Sequence, residues 1–169
     1  MKNKNQKGLI LSSSKGFTLV ELMVVISIIG ILATLLLLQL GVARQRARDA
    51  SRIAHINQIR TSVELYFDDN GQYPQVATYA ALGALVVPKY ITQLPLDPIN
   101  SGNYTYNYAF SGVTKYQVWA ELELSAAALK SDADINSTGW TGQTVNGADA
   151  SGANCTTAAI DCVYDQGQN

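Results

Sequence analysis

The sequence predicts an α+β chain in which a long N-terminal helix, with a membrane half and an amphipathic half, is packed by a small antiparallel β-sheet head with a loop-rich C-terminal region. Three observations predict it. The stretch Leu22 to Leu38 carries no charge, and its 17 residues at 1.5 Å each reach about 26 Å, close to the hydrocarbon thickness of a bilayer. Ile53, Ile56, Ile59, Val63 and Phe67 then recur at spacings of 3, 3, 4 and 4, the pattern of a helix with one apolar face. Finally, Tyr104 to Phe110 alternates in side-chain size and Tyr116 to Leu124, apart from Trp119, in polarity, on either side of a turn at Ser111-Gly112.

Residues 1–16 form a basic leader with Lys2, Lys4, Lys7 and Lys15, four of the twelve basic residues of the chain. A secretory signal peptide places its apolar core before a small-residue cleavage site. Here the leader ends in Lys15-Gly16 and the apolar run follows, so a cut at Gly16 leaves the hydrophobic segment on the product. Residues 17–43 form the apolar half of the helix, with Glu21 as the one ionisable residue between Phe17 and Ala43. Residues 44–70 form the amphipathic half, where Arg44, Arg46, Arg48, Asp49, Arg52, Arg60, Glu64 and Asp68 are expected on the solvent faces. Asn70-Gly71 supplies a left-handed stop, and Tyr73-Pro74 prevents restart.

The head occupies residues 71–169. Thr78 to Val87 reads as a short helix, and the hairpin that follows is expected to bury one face. From 125 to 169 large apolar residues are sparse, which predicts loops with room for one further strand. Cys155 and Cys162 read as a small disulfide if this end is exported to an oxidising compartment, or as two free thiols. His55 stands alone, and neither a Cys/His metal set nor a nucleophile–base pair can be assembled, so an enzyme is not expected. Without the leader, eight basic residues face thirteen acidic ones, and this net negative balance disfavours direct nucleic-acid binding.

The run Lys15-Gly16-Phe17-Thr18-Leu19-Val20-Glu21-Leu22, continuing to Ala33, resembles the prepilin signature of type IV pilins and of type II secretion pseudopilins. A second resemblance covers Tyr66 to Pro74, Leu94-Pro95-Leu96-Asp97-Pro98, Tyr104 and Tyr106, which are similar to the helix exit and following loop of major pseudopilins and related pilins. The resemblance implies cleavage between Gly16 and Phe17 by a prepilin peptidase, N-methylation of Phe17, and a filament-assembly role for Glu21, which neutralises the amine of a neighbouring subunit. It implies self-association into a helical homopolymer with minor pilins, an inner-membrane assembly platform with a cytoplasmic ATPase, and membrane lipid around the helix before assembly. The implied location is the inner membrane, single-pass with the head outside the cytoplasm, and then an extracellular or periplasmic filament. Leu38 stands where the family often has a proline.

Related pseudopilins hold calcium in a late loop, and Asp132, Asp134 and Asn136 are spaced like the first ligands of a calcium loop. Ser137 replaces the sharp-turn glycine and Gln143 the bidentate glutamate, so the expectation is a solvated acidic loop and no cofactor, with calcium as the alternative. The leading function is a prepilin subunit of a type IV pilus or related filament. A major-type pseudopilin of type II secretion, or of a DNA-uptake pseudopilus, is the alternative within the family. A membrane-tethered extracytoplasmic domain is the alternative outside it, though such a tether would more naturally carry a flexible linker than a continuous helix.

Overall fold

The computed structural model describes residues 16–148, 155 and 162–169. The leader other than Gly16, and the segments on either side of Cys155, lie outside the described residues. The elements in chain order are α1 (Leu19–Asn70), α2 (Tyr79–Val86), β1 (Tyr106–Ser111), β2 (Lys115–Glu121), a 3-10 turn (Ala127–Lys130), β3 (Thr141–Gly142) and β4 (Val163–Gln168). The chain divides into two compact units, residues 1–41 and 42–169.

In the first unit α1 runs through leucine, isoleucine and valine that are exposed wherever their side chains are described, among them Leu22, Ile26, Ile31 and Leu36. The hydroxyls within the run are satisfied by the helix itself. Ser27 Oγ donates to Met23 O at 2.8 Å and Thr34 Oγ1 to Ile31 O at 2.7 Å, so neither demands water.

In the second unit α1 buries a stripe and ends at glycine. Ile56, Ile59 and Val63 are fully buried, with Ile53, Tyr66 and Phe67 packed beside them. Gly71 adopts φ +70° and its N–H donates to Phe67 O at 2.7 Å, closing the last turn with a left-handed residue. Thr78 caps α2 by accepting from Ala81 N at 3.2 Å, and α2 buries Tyr79, Leu82 and Val86.

The sheet is antiparallel throughout with order β3-β1-β2-β4. Tyr106, Tyr108, Tyr116, Val118, Ala120 and Tyr164 face the helix stripe and form one core with it. The expectation of one buried face is corrected, because the opposite face is covered as well. Asn107, Gln117, Trp119, Glu121 and Asp165 are buried there, beneath the segment that follows β2. Gln117 Nε2 donates to Ile135 O at 2.8 Å and to Asp165 Oδ2 at 2.6 Å, and Trp119 Nε1 donates to Gln143 O at 2.8 Å. Polar side chains tolerate this burial because the loop's carbonyls and a neighbouring carboxylate replace water.

The tail is likewise more ordered than its composition predicts. It supplies β3 and β4, and β4 pairs with β2 over six residues from Tyr116↔Gln168 to Glu121↔Val163. Gly142, at φ +116°, lies so close to β1 that a Cβ there would meet Tyr108 O at 2.5 Å.

A second correction concerns the charges of α1. Arg52 and Asp49, expected toward solvent, are buried at 0% and 4% exposure. Their positions explain it: 49, 52, 56, 59 and 63 are spaced 3, 4, 3 and 4, so both belong to the core stripe.

Candidate functional site

The predicted processing and assembly residues Gly16, Phe17 and Glu21 lie at the start of α1, whereas the disulfide and calcium-loop candidates lie in the second unit, where α1 also builds an ion cluster that was not predicted. At the helix start, Gly16 and Phe17 precede the first turn and are exposed, Phe17 at 87%. A Cβ built on Gly16 meets nothing within 4 Å, so the chain itself places no steric demand on glycine there.

Thr18 and Glu21 form a capping box. Glu21 N donates to Thr18 Oγ1 at 3.2 Å, while Thr18 N and Thr18 Oγ1 donate to Glu21 Oε2 at 2.8 and 2.7 Å. The carboxylate that stands alone in the apolar run therefore fixes where the helix begins. Its Oε1 accepts no bond among the described residues and remains available. The Thr-x-x-Glu pattern ahead of an apolar run is the sequence signal of this cap.

At the helix–head junction, Arg52 is the hub of a buried ion cluster. Its Nε and Nη2 donate to the two oxygens of Asp97 at 2.6 and 3.1 Å, and its Nη1 donates to Asp49 at 2.7 Å and to Glu123 at 2.8 Å. The guanidinium also lies 4.6 Å from the ring centroid of Tyr104. Burial opposes its charge, but the bonds to Asp97, Glu123 and Asp49 more than offset that and hold its pKa above the ordinary arginine value.

Arg48 meets Glu123 with two parallel bonds of 2.6 Å, and this guanidinium is the main reason the Glu123 carboxyl is held below its usual range. Asp49 also accepts from Glu123 N and Leu124 N at 2.9 and 3.0 Å, which draws the chain off the sheet ladder after Glu121. Asp97 accepts from Ile99 N and Asn100 N, so the carboxylate of Leu94-Pro95-Leu96-Asp97-Pro98 shapes its own turn while it holds Arg52.

Farther along α1, Glu64 accepts from the hydroxyls of Tyr73 at 3.0 Å and Tyr116 at 2.7 Å. Burial, with Glu64 alongside, pushes the Tyr73 hydroxyl up to about 12. His55 is half-buried, its Nδ1 2.8 Å from the Tyr106 hydroxyl.

Cys155 and Cys162 are joined as a disulfide, with a Cα–Cα distance of 5.4 Å. Cys162 N donates to Glu121 Oε1 and Leu122 N to Cys162 O, both at 2.9 Å, so these bonds fix the start of β4 to the end of β2 and the bridge ties Cys155 to that point.

The calcium-loop residues serve separate local ends. Asp132 Oδ2 accepts from Asp165 N at 3.2 Å, Asn136 Oδ1 accepts from Thr138 N at 3.0 Å, and Asp134 is exposed at φ 47°. Among the described residues no group of three His, Cys, Asp or Glu gathers where a metal ion would sit.

An apolar, exposed helix run with a lone carboxylate at its capped start is the feature that comparison with known proteins bears on most. Residues 11–37 match the family profile described as the prokaryotic N-terminal methylation motif. The chain is 32% identical over 126 residues to the type IV wide pilus major component PilA4 of Thermus thermophilus, covering 74% of this chain and 93% of that protein. The chain belongs to the type IV pilin and pseudopilin family.

Within that family it is also 34% identical over 129 residues to the fimbrial protein EcpC of Eikenella corrodens, covering 75% of this chain and 80% of that protein. It is 36% identical over 97 residues to the type II secretion system core protein G of Dickeya chrysanthemi, covering 50% of this chain and 62% of that protein. No solved structure gives a significant match. The pilin-type chain is a filament structural subunit. Its helix from Leu19 contains a window long and apolar enough to cross a membrane, with mean hydropathy 2.7 and none of it buried.

Proposed function

We propose that this subunit is made as a prepilin, cut between Gly16 and Phe17 by a prepilin peptidase and N-methylated at Phe17. It waits in the inner membrane with its head outside the cytoplasm, and then polymerises with itself and with minor pilins on an assembly platform driven by a cytoplasmic ATPase. The observation that carries this reading is the apolar run of α1, exposed on every side, beginning at a capped Glu21. In lipid the run is already out of water, so entering a filament gains it little hydrophobic energy. Registry must come from helix packing and polar contacts, and the available oxygen of Glu21 is suited to the Phe17 amine of a neighbour. The relation to PilA4, spanning 93% of that protein against 62% of core protein G, favours a pilus over a secretion pseudopilus. No cofactor enters this reading.

Glu21→Ala is expected to leave leader cleavage and membrane insertion intact and to lower sheared filament yield sharply. Because alanine also removes the side-chain half of the capping box, Glu21→Gln is the sharper variant: glutamine can still accept from Thr18 and loses only the charge. Wild-type filament yield from Glu21→Gln, expressed without a wild-type copy, would show that the carboxylate's charge is dispensable.

A further inference from the structure

The second unit carries an open groove of about 450 Å³ between α1 and the segment that leaves β2. Val42, Ala50 and Ile53 line one side, and Leu124 and Ala126 the other. Asp49 reaches it too, but its carboxylate is committed to Arg52 and to the N–H groups of Glu123 and Leu124. Arg46 lines the groove as well, exposed, and no acid pairs with it among the described residues, whereas Arg48 and Arg52 are both matched. The groove is thus an apolar trough with one uncompensated cation.

We propose that this groove seats the apolar helix run of a second copy of this chain, with Glu21 of that copy against Arg46. The inference rests on the filament-subunit reading and adds to the Phe17 contact a second, more distant neighbour. Two observations select the occupant. The first is charge complementarity: Glu21 is the one ionisable side chain of the apolar run, and its Oε1, which accepts no bond among the described residues, has two lone pairs, enough for a guanidinium beside the Phe17 amine. The second is continuity, since Val42 directly follows Gly41 in sequence and the groove begins where the polymerising run ends.

The register follows from the sequence. Glu21 and Arg46 are 25 residues apart, so parallel copies would be offset by about 38 Å at 1.5 Å per residue. Val25 of one copy would then lie opposite Ala50 of the other, and Ile28 opposite Ile53.

The test is oxidative cross-linking in sheared filaments of the full chain. Val25→Cys combined with Ala50→Cys is expected to give a ladder of linked chains on non-reducing gels. The off-register control, Val25→Cys with Thr61→Cys, should give none. In a separate variant, Ala50→Glu supplies Arg46 with an acid one helical turn away on its own exposed surface, and is expected to lower filament yield at least tenfold at unchanged membrane level.

Filaments that lack the Val25–Ala50 ladder, or wild-type yield from Ala50→Glu, overturn the inference and leave the pilin reading standing. A missing ladder together with a smaller membrane-bound pool of Ala50→Glu would assign the groove to lipid headgroups and also overturn it. If the unmodified chain forms no filaments at all, both readings fail.

Discussion

Leu22 to Leu37 and Asp49 to Phe67 belong to one helix and share a secondary structure, yet they meet the problem of burial in opposite ways. The first stretch is apolar on every side and exposes nearly all of it, so its partners lie beyond the chain. The second is mixed, exposes its polar faces, and buries a single stripe in which Asp49 and Arg52 continue the line of Ile56, Ile59 and Val63. Helix propensity cannot produce that contrast, because leucine, isoleucine, valine and alanine are common to both. It arises from what each stretch has beside it within its own unit: a sheet and a second helix for the second, and, among the described residues, no packed side chain for the first. One half is completed by folding and the other by assembly.

Removing the cation of the buried cluster should have the largest effect. Arg52→Met leaves Asp49, Asp97 and Glu123 with Arg48 as their one remaining guanidinium. Losing one partner of a buried ion group costs about 3–5 kcal/mol, because the remaining charges are already desolvated. Thermal unfolding of the detergent-solubilised chain, followed through its buried tyrosines, should show a fall on the order of 10 °C. Wild-type stability in this variant would mean that the cluster is not closed to water.

A truncation in the core stripe comes next. Ile59→Ala removes buried methyl and methylene groups from a fully enclosed position and should cost about 2–5 kcal/mol in the same assay. The second half of the helix would then behave as an ordinary protein core.

A smaller effect tests the rim of the cluster through pH. Because Arg48 holds the Glu123 carboxyl below the ordinary glutamate value of 4.5, the stability from this pair is present above that value. It is lost as pH falls through the lowered folded value. Arg48 is one-third exposed, so solvent screening keeps the effect of Arg48→Ala at neutral pH well below that of Arg52→Met. The variant should also lose less stability than wild type as pH falls below 4.5. Parallel melting-temperature curves below that pH would refute the role given to Arg48.

Much of this division was legible in the sequence. The α+β class, the end of α1 at Asn70, the Ile56–Val63 stripe and the hairpin all follow from periodicity and turn residues. What escaped were polar residues in positions where polarity suggested solvent. Arg52 reads as a surface cation until its spacing from Ile56 is weighed against its charge. Its partners Asp97 and Glu123 lie 45 and 71 positions away, where no local pattern links them. Gln117 and Glu121 gave β2 an alternation that resembles one wet face, and only the packed segment after β2 makes that face dry. The one further strand expected in the tail could not be placed, because Asp165-Gln166-Gly167-Gln168 has little strand propensity and takes strand form by pairing with β2. At the site, the Glu21 cap was readable and the groove beside Arg46 was not, since it needs Leu124 and Ala126 brought back against the helix.

The smallest expected effect is the most demanding test of the contrast. Ile31→Ala makes the same chemical change as Ile59→Ala, in the same helix, at a side chain 63% exposed instead of fully buried. Alanine is a better helix former than isoleucine, so the backbone gains slightly, and no cavity forms because the chain packs nothing around that position. In detergent the lost methylene contacts are with detergent tails, which close over the smaller side chain. The melting temperature of the solubilised chain should therefore stay within the range of about ±0.5 kcal/mol that exposed substitutions produce. Sheared filaments of the same variant should dissociate more readily in detergent than wild type, because there position 31 is covered by other copies. A head destabilised by Ile31→Ala as much as by Ile59→Ala would mean that the first stretch is packed within its own chain, and the division between folding and assembly would fall.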